Sequence, residues 1–445
     1  NDAADDNTAD FTAGGLITLT AQDEIGVLGS GSDLDLEFAA GSSVNVSTTG
    51  TGAIDLDGLG ALTLSDVDTV NGAITASSAG ALTVTDVASG TNGNIVLSTS
   101  SGDITGLATV NAGSGNVTLN SAGAIVDDGS SGTVITGGVL TADAAGGITI
   151  DSTVTSANIS TSAAGAVDLD ETDAITLTDV DTNDGSITVD AGGLITATDV
   201  VASGGSGDSV TLSTTTGGAV ATLVTGADAV SITANAGDIT IGSVTATAGT
   251  LGVTATAGSI NDAADDNTAD FTAGGLITLT AQDEIGVLGS GSDLDLEFAA
   301  GSSVNVSTTG TGAIDLDGLG ALTLSDVDTV NGAITASSAG ALTVTDVASG
   351  TNGNIVLSTS SGDITGLATV NAGSGNVTLN SAGAIVDDGS SGTVITGGVL
   401  TADAAGGITI DSTVTSANIS TSAAGAVDLD ETDAITLTDV DTNDG

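Results

Sequence analysis

Lysine, arginine and histidine are all missing from this chain of 445 residues, which carries 57 acidic residues and a formal charge of −57. That absence excludes whole classes of partner. Nucleic acids are held by cations that neutralise phosphates, and anionic membrane surfaces are held in the same way. Trypsin-like proteases find no cleavage site. Cysteine is absent too, so no disulfide contributes to stability and the redox compartment cannot be read from the thiols. Without histidine or cysteine the usual nucleophilic triads cannot form. Proline, methionine, tryptophan and tyrosine are also missing, and the aromatics reduce to Phe11, Phe38, Phe271 and Phe298. No apolar run approaches the ~18 residues needed to span a bilayer, so membrane insertion is not expected. No signal peptide is visible. The lack of an initiating methionine leads us to expect a processed chain or an interior piece of a longer one.

Glycine is abundant, with 67 residues, 40% of residues are hydrophobic, and the mean hydropathy is +0.38. High charge produces disorder only when hydrophobicity is low, and here it is not. The apolar residues are mainly Val, Ile, Leu and Ala, spread evenly, as in an ordered β-rich chain of small side chains.

Repetition decides the expected architecture. Residues 261–445 repeat residues 1–185 without a change, and NDAADDNTADFTAGG opens both copies. We therefore divide the chain into a first unit, 1–260, and a second, truncated copy, 261–445, in one continuous solenoid whose parent sequence is expected to run past Gly445. A shorter period lies inside. LTLSDV at 62–67 returns as LTVTDV at 82–87. Ile54, Leu56, Leu62, Leu64, Val67 and Val70 are followed by Ile74, Leu82, Val84 and Val87, then by Ile104, Leu107 and Val110. Downstream, VDLD at 167–170 and ITLTDVDT at 175–182 precede ITVD at 187–190 and ITATDVVA at 195–202. Period-2 alternation marks strands with one buried face, and the glycines between them suit tight corners. The spacing predicts an all-β parallel β-helix solenoid, with about 20 residues and three short strands per coil. At ~4.8 Å per coil, about 22 coils would make a rod of roughly 100 Å.

The segments GGLITLTAQDEIGVL (14–28), GDITGLATVNAGSGNVTL (102–119) and AGDITIGSVTATAG (236–249) resemble the glycine-punctuated repeats of filamentous haemagglutinin-like exoproteins. They are similar also to the repeats of other giant bacterial surface adhesins. The resemblance covers essentially the whole chain. It implies a right-handed β-helix, secretion through an outer-membrane partner to the cell surface, and a role in adhesion or matrix. The secretion domain of that family is not in this sequence.

Candidate binding chemistry is confined to oxygen ligands. With Leu34, Leu36, Ile54 and Leu56 facing inward, the short period places Asp35 beside Asp55 and Glu37 beside Asp57. The second copy supplies Asp295, Glu297, Asp315 and Asp317. Similar ladders are Asp66 over Asp86 with Asp68 nearby, and Asp179 over Asp199 with Asp181 nearby. Like charges this close raise a pKa or bind a cation, and hard carboxylate oxygens favour calcium or magnesium. Divalent cations bridging coils or rods are one reading; the plainer one is a solvated acidic surface screened by sodium. No cofactor is required, and calcium is the ion to test. No EF-hand or GGxGxDx calcium loop is present.

Two further patterns carry weaker readings. Thr83-x-Thr85, Thr176-x-Thr178 and Thr196-x-Thr198 form outward threonine pairs of a kind that can bind ice, although threonine is also a common exposed strand residue. Asn45-Val-Ser47, Asn116-Val-Thr118 and Asn158-Ile-Ser160 match the N-glycosylation sequon, which chance supplies readily in a Ser/Thr-rich chain. Catalysis is not expected. β-Helical lyases need a basic residue, sugar clefts carry aromatics, and an exact repeat would duplicate any active site. The expected work is structural: an extracellular rod, fibre or sheath segment that assembles with copies of itself, end to end or laterally. The alternative is the stalk of an adhesin, whose binding tip outside these residues meets cell-surface components. An ice-binding β-helix is a remote third.

Overall fold

The computed structural model describes residues 8–29, 32–132, 134–264, 266–289, 293–299, 301–392 and 394–445. Among these the chain is all-β and has no helix, and its parallel strands stack as a β-solenoid of about 20 turns. By contacts it resolves into two compact units, Asn1–Thr215 and Thr216–Gly445.

Residues 54–88 of the first unit show the construction. The strand Ile54–Gly58 pairs in parallel with Ile74–Ser78, which pairs next with Ile95–Thr99. Ile54 N–H donates to Ala73 O at 3.0 Å and Ile74 N–H to Asn94 O at 2.9 Å. Ile74–Ser78, Leu82–Val84 and Asp86–Ala88 are the three strands of one coil. In-register stacking places like on like: Leu62 against Leu82, and Val67 against Val87. Leu64, Val67, Val84 and Val87 are completely buried. A narrow bore filled by aliphatic side chains explains why the chain needs so few aromatics.

Coil length varies more than a fixed period allows. Ile148 takes Val167 as its register partner, which closes a short coil, whereas Ile277 takes Val304, which closes a long one. In that short coil the three strands merge into the single strand Ile148–Thr161.

The step from Leu64 to Val67 breaks strict alternation, and its cause is a bulge. Val44 pairs with Leu64 but Asn45 pairs with Asp66, so Ser65 has no opposite number. The same slip occurs between Ala157–Asn158 and Leu177–Asp179, leaving out Thr178. A bulge bends the strand, and here it starts the next side of the coil.

Corners use buried hydroxyls and close-packed glycines. Thr69 Oγ1 donates to Gly72 O at 2.7 Å, Thr48 Oγ1 to Gly52 O at 2.9 Å and Thr99 Oγ1 to Gly102 O at 2.9 Å. Because Thr69 turns inward, Val70 turns out and is 55% exposed, which corrects its place in the apolar pattern. Gly90 shows why glycine is required at some corners. Its φ is +75°, and a Cβ there would lie 1.8 Å from Val70 O of the preceding coil.

The second unit repeats this construction. The strands Phe271–Ala273, Leu294–Phe298 and Ile314–Gly318 stack in parallel, as do Ile277–Ala281 and Val304–Thr308. The coils running from Leu251 to Ile277 and from Ile277 to Val304 are both long. Asp262 and Asp270 lie on the first of these coils and Asp293 and Asp295 on the second.

Candidate carboxylate site

The register moves the first predicted patch. Leu34 pairs with Leu56 and Asp35 with Asp57, so Asp35 lies beside Asp57 and not beside Asp55. Glu37 pairs with Thr12 on the preceding strand, and Asp57 continues to Ser77 on the following one. The coil here exceeds the assumed period by one alternating pair. A shift of that size keeps each side chain on its face while changing its neighbour. The second copy follows the same rule: Asp295 pairs with Asp317, Glu297 with Thr272 and Asp315 with Thr335.

Outward orientation also fails to guarantee exposure. Asp35 is 3% exposed, Asp55 8%, Asp295 2% and Asp315 7%. At Asp315 the segment around Gly286–Gly289 lies over the strand: Gly289 N–H donates to Asp315 Oδ2 at 3.3 Å. Burial, then Asp293 and Asp317, push the Asp315 carboxyl up to about 6 against that hydrogen bond. Asp55 is raised by burial and then by Asp33, with Gly29 N–H opposing.

Among the described residues, Asp295 belongs to a group of three converging carboxylates. Oxygens of Asp293, Asp295 and Asp317 all lie within 4.8 Å of one another. Asp295 N–H donates to Asp270 Oδ2 at 2.9 Å, and Asp270 N–H returns a bond to Asp295 O at 3.0 Å. Ser337 Oγ donates to Asp317 Oδ1 from the following coil. Asp295 Oδ1 is buried and accepts no hydrogen bond. Burial pushes the Asp295 carboxyl up to about 7, with Asp293, Asp317, Asp262 and Asp266 adding repulsion. Asp270, 3% exposed, is pushed up to about 8 by burial and then by Asp262 and Asp295, against its bond from Asp295. Glu297 is exposed and outside the group.

The other two predicted ladders are found in place. Val67 pairs with Val87, which sets Asp66 beside Asp86, and Val180 pairs with Val200, which sets Asp179 beside Asp199. On its other side each ladder meets a sequon: Asn45 pairs with Asp66, and Asn158 with Asp179. Asp68 is pushed up to about 6 by burial, by a hydrogen bond with Asp66, and by the charges of Asp66 and Asp86. Asp181 is raised by burial and then by Asp179 and Asp199. Asn45 and Asn158 therefore sit within strands, whereas Asn116 lies just ahead of one.

Of the threonine pairs the first members stack, while Thr178 is the residue that the bulge leaves out. Thr63, Thr83 and Thr105 are consecutive rungs, and Thr176 meets Thr196.

Two features escaped the sequence reading. Asp293 precedes its strand, in a loop, where alternation assigns nothing. Asp151, Asp170 and Asp190 form a three-rung ladder, visible in the sequence only once the short coil between Ile148 and Val167 is known.

Against these features, comparison with known protein families, curated proteins and solved structures finds no match to this chain.

Proposed function

We propose that this chain is a structural segment of an extracellular rod, fibre or sheath, built by a giant repetitive surface protein and assembling with copies of itself. The observation that carries this reading is repetition without differentiation. Identical sequences form the same strands in both copies, such as Leu34–Phe38 and Leu294–Phe298 or Ile74–Ser78 and Ile334–Ser338. Solenoid coils contact only their neighbours, so length can grow by adding copies.

The acidic outer face fits the same role. Repulsion between like-charged surfaces opposes sideways clumping of exposed strands, and cations along the carboxylate ladders would tune it. A chain without lysine or arginine also persists among trypsin-like proteases outside the cell.

Negative-stain microscopy of the purified chain, with and without a chelator, tests this. Long filaments support the fibre reading. Single rods that never associate support the adhesin-stalk alternative, in which a tip beyond these residues contacts the cell surface. Compact particles would sink both.

A further inference from the structure

Buried carboxylates in this protein are usually answered by donors. Glu171, 3% exposed, accepts Ser152 Oγ at 2.6 Å and Val154 N–H at 3.0 Å on Oε2, and Asp173 N–H at 3.2 Å on Oε1. Asp315 accepts Gly289 N–H. Asp127 accepts Gly129 N–H at 2.9 Å. In each case the backbone or a hydroxyl supplies what a missing lysine or arginine would have supplied.

Asp295 breaks that pattern. It is 2% exposed, and its Oδ1 accepts nothing. Its surroundings add negative charge instead of removing it: Asp293 and Asp317 converge on it, with Asp262 and Asp266 beyond. Leaving a buried acceptor unanswered costs about 1–3 kcal/mol, and more for a charged group. Asp208 Oδ2 is also buried and unpartnered, but Asp208 does not belong to a group of three converging carboxylates among the described residues. Among those residues Asp295 alone joins an unanswered buried oxygen to two further carboxylate ligands.

We propose that Asp293, Asp295 and Asp317 hold one calcium ion, which ties the strand Leu294–Phe298 to the strand Ile314–Gly318 and to the loop that precedes them. The donor set is all oxygen, which selects a hard cation. The three oxygens lie within 4.8 Å of one another, and a set of side-chain carboxylates with no imposed octahedral geometry suits calcium's flexible sphere, at about 2.3–2.6 Å, better than magnesium's rigid one. Two carboxylates come from neighbouring coils in register and the third from the loop. The ion thus replaces the donor that Asp295 lacks and neutralises a place where coil stacking forces buried charges together. Water or backbone carbonyls complete the sphere.

The site is independent of the rod reading, because it requires only the second unit to be folded. Equilibrium dialysis of the full chain against calcium, in about 0.15 M sodium chloride to screen diffuse attraction, tests it. The wild-type chain should show a saturable step above a linear background. Asp295→Asn and Asp317→Asn should each lose one equivalent of that step, or weaken it about tenfold or more, because calcium affinity follows ligand charge. Asp143→Asn, which removes one charge from an exposed position in the other unit, flanked by Asn120 and Ser160 and not by carboxylates, should leave the step unchanged. Magnesium at equal concentration should displace less of it. Far-ultraviolet circular dichroism checks that each variant keeps its strands. A purely linear isotherm overturns the proposal, as does a step that survives unchanged in both folded variants. Equal loss in Asp143→Asn overturns it as well, since the effect would then be net charge.

Discussion

Phe11 and Phe271 stand in identical surroundings of sequence, each within TADFTAGG, yet Phe11 is 38% exposed and Phe271 is completely buried. Asp10 and Asp270, one position earlier, differ in the same way: one is exposed and the other 3% exposed. The cause is the neighbouring coil. Among the described residues Phe11 pairs with Leu36, whereas Phe271 pairs with Leu296 on one side and Val244 on the other. The far end of the repeat shows the converse. Val167–Glu171 alternates between buried and exposed positions, while Val427–Glu431 alternates between half-buried and exposed ones. Val167–Glu171 has Ile187–Ala191 stacked on it in addition to the strand before it. Sequence therefore sets which residues form a strand and which face turns inward. The coils above and below decide how deeply that face is buried and what electrostatic environment it meets.

The comparison can be broken most directly at the two phenylalanines. Phe271→Ala should cost about 3–5 kcal/mol, the range for a fully buried aromatic, and Phe11→Ala about 1 kcal/mol or less, since much of that side chain is already in water. Urea denaturation of the two variants measures the difference. Equal losses would mean that neighbouring coils do not control burial.

A second pair should show no difference. Gly90 and Gly350 have φ of +75° and +69°, and at each a Cβ would lie 1.8 Å from the carbonyl oxygen of Val70 or Val330. Both copies have a coil beneath the corner, so Gly90→Ala and Gly350→Ala should each destabilise by about 2 kcal/mol or more, and equally. An unequal pair in thermal melts would show that the copies differ in more than their neighbours.

The smallest effect is one of pH. Asp68 and Asp328 are both pushed up to about 6, chiefly by burial, and both face a like pair, Asp66 with Asp86 and Asp326 with Asp346. A carboxyl whose pKa is higher folded than unfolded binds its proton more tightly in the folded chain. Its contribution is complete below the unfolded value near 4 and is lost as pH rises through about 6. In a chelator, the melting temperature should fall across that window, and Asp68→Asn and Asp328→Asn should each flatten the slope by a similar share. A melting temperature that rises from pH 4 to pH 6 would contradict the sign.

Much of the architecture was legible because its cause is local and repeated. Ile54-x-Leu56 and Leu62-x-Leu64 announce one buried face, and the return of LTLSDV as LTVTDV sets the stacking of Leu62 on Leu82. The ladders Asp66–Asp86 and Asp179–Asp199 were legible for the same reason, since the coils that separate their rungs keep the common period. The patch at Asp35 was not. The coil there is longer, and no local signal in LDLEF or IDLDG states which residues of the intervening loop are surplus. The unpaired Ser65 and the inward turn of Thr69, which sends Val70 outward, were hidden because a bulge and a corner interrupt alternation without altering composition.

The sequence by itself determined the all-β class, the inward face of each strand, the glycine corners and the total lack of cations to answer 57 acidic residues. Those properties follow from side-chain size, alternation and charge count, which neighbours in space do not change. Only the tertiary structure decided that Asp295 meets Asp293 and Asp317 while Glu297 stays in solvent. That choice depends on coil length and on loops folding back over a strand, and both are settled by stacking between residues a whole coil apart in the chain.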